Sequence, residues 1–328
     1  MEIEKKFEKL KSKTFLITGG AGFIGSSMCR KLILDVGAKV ICVDNLSTGN
    51  LENISELKLK NNFIFVKGDV NKKRVLNKVF KENHIDYVIH YAALVGVKRT
   101  IDDPISVLKD IDGIRILLEL SRLSSVKKAI FASSSEIYGD SNDIPGREDH
   151  TPLNVRLPYA AVKSIGENYF RVYNEVYDLP TVSLRFFNVY GPRQESSSYG
   201  FVTAIFLKQV LDNKPITIFG DGMQTRDFVY IEDNLNATLM AIIKSSTDGE
   251  AINIGTGQET SVNDLANKII KISNKKTKIT FLPPRKKGDM LRRCPDISKM
   301  KNILGYYPQY NLESGLKKTF DFYGHRLL

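Results

Sequence analysis

Residues 14–25 read TFLITGGAGFIG, a run of β-favouring residues placed directly before three regularly spaced glycines, Gly19, Gly22 and Gly25. An apolar pattern with helical spacing follows. In a strand–turn–helix unit the first glycine permits a tight turn, the second lets the backbone approach a pyrophosphate, and the third lets the helix sit close to the strand. Phe23 and Ile24 open the helix, whose positive N-terminus attracts phosphate. The stretch therefore predicts a dinucleotide-binding turn.

An acidic residue about 20 positions further on supports this interpretation. Asp44 ends the second β-rich run, where a carboxylate accepts hydrogen bonds from ribose hydroxyls and repels a 2′-phosphate. The sequence thus predicts NAD rather than NADP as cofactor; the alternative is a turn aspartate without a ligand. The further predicted nucleotide contacts are Asn45, Leu46, Ser47, Thr48 and Gly49, which follow Asp44, and Asp69 and Val70, which close the third strand.

The first half of the chain alternates short β-rich runs with longer helical patterns. The predicted strands are Thr14–Thr18, Lys39–Val43, Phe63–Lys67, Asp86–His90, Lys128–Ala132 and Thr181–Arg185, and the predicted helices lie near 23–36, 72–83, 104–124 and 159–178. Strands separated by helices predict an α/β fold with a doubly wound parallel sheet, the Rossmann arrangement. After about residue 186 the alternation breaks down. We therefore expect an NAD-binding domain over 1–186 and a smaller substrate-binding lobe over 187–328, partly interleaved with it.

Tyr159 and Lys163 are four residues apart, so a helix places a phenol and an ammonium on one face. The preceding strand ends in a serine run that includes Ser134, and ligands bind at the carboxyl ends of strands in such sheets. A nearby ammonium favours the phenolate form of a tyrosine, whose ordinary pKa is near 10. We expect Ser134 to hold a reacting hydroxyl while Tyr159 takes its proton and NAD⁺ takes the hydride. Glu136 is the alternative base.

Composition limits the other function classes. The chain has 328 residues, 42% of them hydrophobic, and a formal net charge of +11. It contains no apolar run of the roughly 18–20 residues that a membrane span needs, and its charged start does not resemble a secretory signal, so we expect a cytoplasmic protein. Its three cysteines are scattered, which predicts neither disulfides nor a metal site. The excess positive charge is concentrated between Lys268 and Arg293 without a nucleic-acid-binding motif, so it is either a solvated face or attractive to a phosphorylated partner.

At this point the sequence resembles the extended short-chain dehydrogenase/reductase family, and within it the NAD-dependent nucleotide-sugar epimerases and dehydratases. The motifs that carry the resemblance are 18–25, Asp44, Asp69–Val70, 90–93, the serine strand, Tyr159 with Lys163, 185–193, 220–222 and 226–228. The resemblance implies that Tyr91, Ala92 and Ala93 lie along the nicotinamide half of the cofactor, with Phe187 and Asp110 also at the cofactor site, although Asp110 stands where the family usually has Asn. It implies a sugar-nucleotide site with Asn188 and Arg226 at the diphosphate and Arg285, Lys286 and Asp289 as further contacts. It also implies a homodimer that pairs the helices at 104–124 and 159–178.

Several sequence features separate the subfamilies. The resemblance is closest to the UDP-glucose and UDP-N-acetylglucosamine 4-epimerases, which favours a UDP-sugar as substrate and reaction through a transient 4-keto sugar. Glu136 and the Arg292–Arg293 pair favour an alternative, UDP-glucuronic acid 4-epimerase or decarboxylase. The alternative from a different class is a non-catalytic nucleotide-binding module, which the presence of both Tyr159 and Lys163 disfavours.

Overall fold

The computed structural model describes residues 6–95, 100, 102–155, 157–194, 200–284 and 290–324. The strands are β1 (Thr14–Thr18), β2 (Lys39–Asp44), β3 (Phe63–Lys67), β4 (Tyr87–His90), β5 (Lys128–Ser134), β6 (Thr181–Phe186), β7 (Asn188–Tyr190), β8 (Ile216–Phe219), β9 (Thr225–Arg226), β10 (Phe228–Tyr230), β11 (Ala251–Ile254), β12 (Thr260–Ser261) and β13 (Ile279–Leu282). The α-helices are α1 (Phe23–Arg30), α2 (Lys73–Glu82), α3 (Pro104–Leu108), α4 (Asp110–Leu123), α5 (Pro158–Tyr177), α6 (Val202–Leu211), α7 (Ile231–Ile243), α8 (Val262–Ser273) and α9 (Leu312–Gly324).

Seven parallel strands form the central sheet in the order β11-β6-β5-β4-β1-β2-β3. The strand order reverses next to β1, so the carboxyl ends of β1 and β4 lie side by side. From these two ends the chain continues to opposite faces of the sheet. Such a reversal opens a crevice that receives ligands. This sheet confirms the predicted doubly wound α/β fold.

The sheet is covered on both faces by apolar side chains. One buried cluster includes Phe15 and Ile17 of β1 together with Leu235 of α7 and Leu316 of α9. Alternate β1 residues point to the opposite face, where Leu16 packs in a second cluster with side chains of α4 and α5. Burial on both faces explains why these strands are almost continuously apolar.

Three of the differences from the predicted elements concern the central sheet and the helices beside it. The seventh strand, β11, was not predicted; it comes from residues 251–254 and pairs with β6 at the sheet edge. The predicted helix at 104–124 is divided at Lys109 into α3 and α4. The predicted helix at 23–36 changes after Arg30 into a π-helical segment, Lys31–Val36, that ends at Gly37 with φ 74°.

The second half of the chain builds small two-stranded pieces beside the central sheet. They pair β7 with β10, β9 with β12, and β8 with β13. Because β11 returns to the central sheet, the chain beyond 186 contributes to both regions, and the division into 1–186 and 187–328 stays a prediction. None of the described helices has the length and apolar character needed to cross a membrane.

Candidate active site

The glycine-rich turn packs tightly against the end of β4. Gly19 has φ 68°, and a Cβ atom there would lie 2.7 Å from the backbone nitrogen of Ala92. A Cβ on Gly25 would collide with the carbonyl oxygen of Gly19, so helix α1 can approach the turn only with glycine at this position. Gly22 is the N-cap of α1, and Phe23 and Ile24 follow it along the cleft. The turn therefore exposes first-turn backbone N–H groups, as a pyrophosphate site requires.

Asp44 organises the loop that follows β2. Its carboxylate accepts hydrogen bonds from the backbone nitrogens of Ala21 at 2.9 Å and Leu46 at 2.8 Å. A Cβ on Gly49 would lie 2.8 Å from Asp44 Oδ1, so this glycine lets the loop close over the carboxylate. Asp44 and Thr48 line the cleft. The predicted contacts that are not among the described residues lining the cleft are Asn45, Leu46, Ser47 and Gly49.

The next wall of the cleft is the segment after β4. Tyr91, Ala92 and Ala93 all line it, whereas their place along the nicotinamide stays a prediction. Asp110 lies behind this wall, where its Oδ2 accepts a 2.8 Å hydrogen bond from the backbone nitrogen of Leu94. Asp69, Val70 and Asp110 are outside the described lining: Asp69 accepts from the backbone nitrogen of Asn71, and Val70 is buried in the core.

Tyr159, Lys163 and Ser134 meet at the floor of the cleft. The Ser134 hydroxyl acts on the Tyr159 phenol and lowers its pKa, although burial outweighs this effect. Lys163 is only 2% exposed, and its Nζ donates a 2.7 Å hydrogen bond to the carbonyl oxygen of Ala132. Burial lowers the pKa of Lys163 to about 8, against the attraction of Asp110 and Glu167. Burial raises the pKa of Tyr159 and so favours the neutral phenol.

Glu136 faces the same cleft and forms an ion pair with Arg293. The guanidinium donates to both carboxylate oxygens, at 2.6 and 3.0 Å. Burial raises the pKa of Glu136, but Arg293 and Arg226 outweigh burial and hold it below its usual value. Glu136 is therefore an anion whose charge is balanced by Arg293.

A buried polar network supports the strand end that carries Ser134. Ser133 Oγ donates a 2.5 Å hydrogen bond to Glu167, one helical turn beyond Lys163. Arg185 of β6 donates to both Glu167 oxygens, at 2.9 and 2.8 Å, and to the Tyr138 hydroxyl at 2.8 Å. These contacts tie β5, β6 and α5 together, so they set the spacing between the serine run and the helix that holds Tyr159 and Lys163.

The predicted sugar-nucleotide contacts fall in different places. Asn188 and Phe187 line the cleft, and Asn188 Nδ2 donates to the carbonyl oxygen of Asp227 at 3.0 Å. Arg226 is outside the described lining; its Nη1 donates to the carbonyl oxygens of Thr225 and Met290, each at 2.8 Å. The other three predicted contacts, Arg285, Lys286 and Asp289, lie outside the described residues. The roles of all these side chains stay predictions.

Arg293 lines the cleft but was not among the predicted site residues. The sequence identified the Arg292–Arg293 pair only as a feature that favours one subfamily. Arg293 is only 6% exposed, whereas the Arg292 side chain is exposed and pairs with Glu259. Two adjacent arginines gave no signal that one would be buried. Phe201 and Leu157 also line the cleft without having been predicted to do so. Among the described residues, no cluster of three or more His, Cys, Asp or Glu is arranged to hold a metal ion.

The sequence model described as the NAD dependent epimerase/dehydratase family matches residues 15–255. The chain belongs to the NAD-dependent epimerase/dehydratase family. The match runs from β1 through β11 and so includes the glycine turn, Asp44 and the Tyr159–Lys163 pair. NAD dependence confirms the predicted cofactor. The cleft lining fits it, because Asp44 and the glycine turn line the same cleft as Tyr159 and Lys163.

Relatives of this family resemble the chain over nearly its full length. A putative UDP-glucose 4-epimerase of Methanocaldococcus jannaschii is 39% identical over 94% of this chain and 97% of the relative. A UDP-glucuronate 4-epimerase of Thermodesulfobacterium geofontis is 36% identical over 94% of this chain and 95% of the relative. The crystal structure of a Thermotoga maritima UDP-glucose 4-epimerase with UDP-glucose has a TM-score of 0.90 and 36% identity, covering 96% of this chain and 100% of that one. The family is therefore established, whereas these relatives differ in the sugar they act on.

Proposed function

We propose that the protein is an NAD-dependent nucleotide-sugar 4-epimerase that interconverts UDP-glucose and UDP-galactose or their N-acetyl forms. The observation that carries the proposal is that Tyr159, Ser134 and Lys163 line one cleft, together with a glutamate whose charge is balanced by an arginine. This cleft offers proton transfer at a sugar hydroxyl. It offers no protonated carboxylic acid at Glu136 to assist loss of a hydroxyl group.

The roles of the side chains follow from their positions. Ser134 holds the sugar C4 hydroxyl, and Tyr159, whose pKa the neighbouring Ser134 hydroxyl lowers, accepts its proton. The Lys163 ammonium lowers the pKa of Tyr159 once the cleft is filled, because a nearby cation favours the phenolate. NAD, held by the glycine turn and by Asp44, would supply the hydride acceptor and donor that oxidation and re-reduction at C4 require. The sugar must turn over between these steps, so binding energy comes mainly from the nucleotide.

The ion pair between Glu136 and Arg293 argues against dehydration. A dehydratase needs a proton donor near the leaving hydroxyl, and Arg293 holds Glu136 in its ionised form. An acidic sugar is the second candidate substrate, because Arg293 places a guanidinium in the cleft. To bind the sugar carboxylate, Arg293 would first have to release Glu136, and a bidentate buried ion pair is costly to separate. We therefore favour neutral sugars over UDP-glucuronic acid and over decarboxylation.

We also propose a homodimer. Apolar side chains are exposed on α3, α4 and α5, the helices that the family resemblance pairs between subunits. They are Ile105, Leu108, Leu123, Ile165, Val172, Val176 and Tyr177. Clustering of exposed apolar residues on neighbouring helices is typical of a protein–protein interface. The cytoplasm is the compartment in which we expect the protein to act.

The experiment that tests the function offers the NAD-loaded protein a panel of UDP-sugars and identifies products by NMR. We expect C4 epimers of neutral UDP-hexoses and no loss of carbon dioxide or water. Faster conversion of UDP-glucuronic acid than of UDP-glucose would contradict the neutral-sugar proposal. Glu136→Gln is the informative variant, because it frees Arg293 and should increase affinity for UDP-glucuronic acid. NAD binding without turnover of any sugar would instead favour the non-catalytic module.

A further inference from the structure

Two cysteines from separate elements meet beneath the glycine-rich turn. Cys29 lies in α1 and Cys42 in β2, and both are fully buried and free. A Cβ atom on Gly20 would lie 3.2 Å from Cys29 Sγ and 2.5 Å from Cys42 Sγ. The two sulfur atoms are therefore neighbours across this glycine. Their separate positions in the sequence did not indicate this pairing, which arises because α1 packs against the sheet.

The two thiols lie against the backbone that forms the cofactor turn. Cys29 Sγ is 3.9 Å from the carbonyl oxygen of Gly20, within reach of a weak S–H hydrogen bond. Cys42 and Asp44 are two positions apart in β2, so their side chains leave the strand on the same face. Asp44 in turn accepts a hydrogen bond from the backbone nitrogen of Ala21, the residue after Gly20. A change at the thiol pair therefore acts on the turn and on Asp44 together.

Burial keeps the pair unreactive while the turn is closed. Burial and the neighbouring Cys42 hold the pKa of the Cys29 thiol well above its usual range. The thiolate is the form that reacts with oxidants, so the closed protein offers little of it. Reaction therefore requires local opening of the turn, and segments that bind ligands are among those that open most readily. NAD bound to the turn should keep it closed and protect both thiols.

We propose that Cys29 and Cys42 are an oxidation site, and that a disulfide between them weakens NAD binding. The oxidant is a small peroxide such as hydrogen peroxide. One thiolate attacks a peroxide oxygen, and the O–O bond breaks to give a sulfenic acid and a hydroxide, which takes up the proton that the thiol released. The second thiol attacks the sulfenic sulfur, and its proton leaves with the displaced hydroxyl group as water. Two thiols are oxidised, and the peroxide is reduced to two molecules of water.

The effect on the cofactor site follows from the length of the new bond. A disulfide holds its two sulfurs about 2 Å apart, closer than unbonded sulfur atoms approach each other. Its formation draws α1 towards β2 beneath Gly20. The turn above has little room to adjust, because a Cβ on Gly25 would already collide with the carbonyl oxygen of Gly19. The first N–H groups of α1 are then displaced from the position in which they bind a pyrophosphate.

The experiment exposes the full-length protein to hydrogen peroxide, once with saturating NAD and once after NAD has been removed. Mass spectrometry of proteolytic peptides identifies the linkage, and calorimetry measures the affinity for NAD. In the protein without NAD we expect a disulfide between Cys29 and Cys42 and an affinity about tenfold lower, the effect of losing one hydrogen bond to a charged pyrophosphate. Dithiothreitol should restore the affinity, and bound NAD should slow the oxidation.

The third cysteine supplies a matched control. Cys294 is also buried and free, but its carbonyl oxygen accepts a 2.8 Å hydrogen bond from the backbone nitrogen of Gly146, in a different part of the chain. Cys294→Ala should keep the peroxide effect, whereas Cys29→Ala and Cys42→Ala should each lose it. All three variants keep the methionines that peroxide also oxidises, so the comparison isolates the thiol pair. Each variant is compared with itself before and after treatment.

Three results would overturn the proposal. They are a folded, peroxide-treated protein without a linkage between Cys29 and Cys42, a linked protein whose affinity for NAD is unchanged, and an equal loss of affinity in Cys29→Ala. The outcome is independent of the proposed 4-epimerase activity, because it is measured as a covalent linkage and as cofactor binding rather than as turnover of a sugar.

Discussion

Replacing Lys163 by methionine is expected to stabilise the cofactor-free protein while it removes activity. The reason is that the fold holds an ammonium in a place where burial lowers the pKa of Lys163 from 10.5 to about 8. A shift of about 2.5 units means that the folded state disfavours the charged form by about 3 kcal/mol relative to the unfolded chain. Methionine fills a similar volume without the charge.

The variant also loses one favourable contact. The hydrogen bond from Lys163 Nζ to the carbonyl oxygen of Ala132 disappears, which costs about 1 kcal/mol. The net expectation at neutral pH is a free energy of unfolding about 2 kcal/mol higher in Lys163→Met than in the wild type. A gain of this size is a sizeable part of the stability of an ordinary domain.

The pH dependence separates this explanation from a general packing effect. Because the folded-state pKa of Lys163 lies below the unfolded value, the native protein binds fewer protons than the unfolded chain between about pH 8 and 10.5. The stability of the wild type therefore rises with pH, relative to the variant, across that window. The advantage of Lys163→Met should be full below about pH 8 and shrink to near zero or below by about pH 10.

Urea unfolding followed by circular dichroism measures both proteins at each pH, since the chain has no tryptophan to report by fluorescence. NAD must be removed first, because a bound ligand stabilises the folded state of whichever protein binds it more tightly. Lys81→Met, at an exposed position of α2, serves as the control. A variant less stable than the wild type at neutral pH, or a difference that does not change with pH, would refute the reasoning.

Three further outcomes are expected. Tyr159→Phe should lower turnover by about 10²–10⁴-fold with little change in sugar-nucleotide affinity, and Ser134→Ala should cost less, because it removes a hydrogen bond rather than the base; near-normal turnover of Tyr159→Phe would exclude it as the base. Asp44→Ala should weaken NAD binding and reduce the preference for NAD over NADP, as measured by calorimetry. Equal affinity of the unmodified protein for both cofactors would contradict this expectation. Val176→Asp should shift the protein from dimer to monomer in light scattering, and a wild type that is monomeric at micromolar concentration would remove the basis for that expectation.

Much of the fold and the cofactor side of the site could be predicted because the signals are local. Gly19 and Gly25 are required by a turn and a helix that follow each other within a dozen residues, and a Cβ atom at either would collide with the backbone. Asp44 follows from the same unit. The spacing of Tyr159 and Lys163 is one helical turn, so helix geometry alone puts the two side chains on one face.

Other features were decided only by the tertiary structure, since they join segments far apart in the chain. Arg293 reaches Glu136 across 157 positions, and no local pattern distinguishes it from its exposed neighbour Arg292. Strand β11 is four residues long and is recognisable as a strand only by pairing with β6. Asp110 resembles any helix-opening acid until Leu94 packs against it. Local geometry therefore determined where the glycine turn, Asp44 and the Tyr159–Lys163 pair lie, whereas long-range packing decided the charges that surround them.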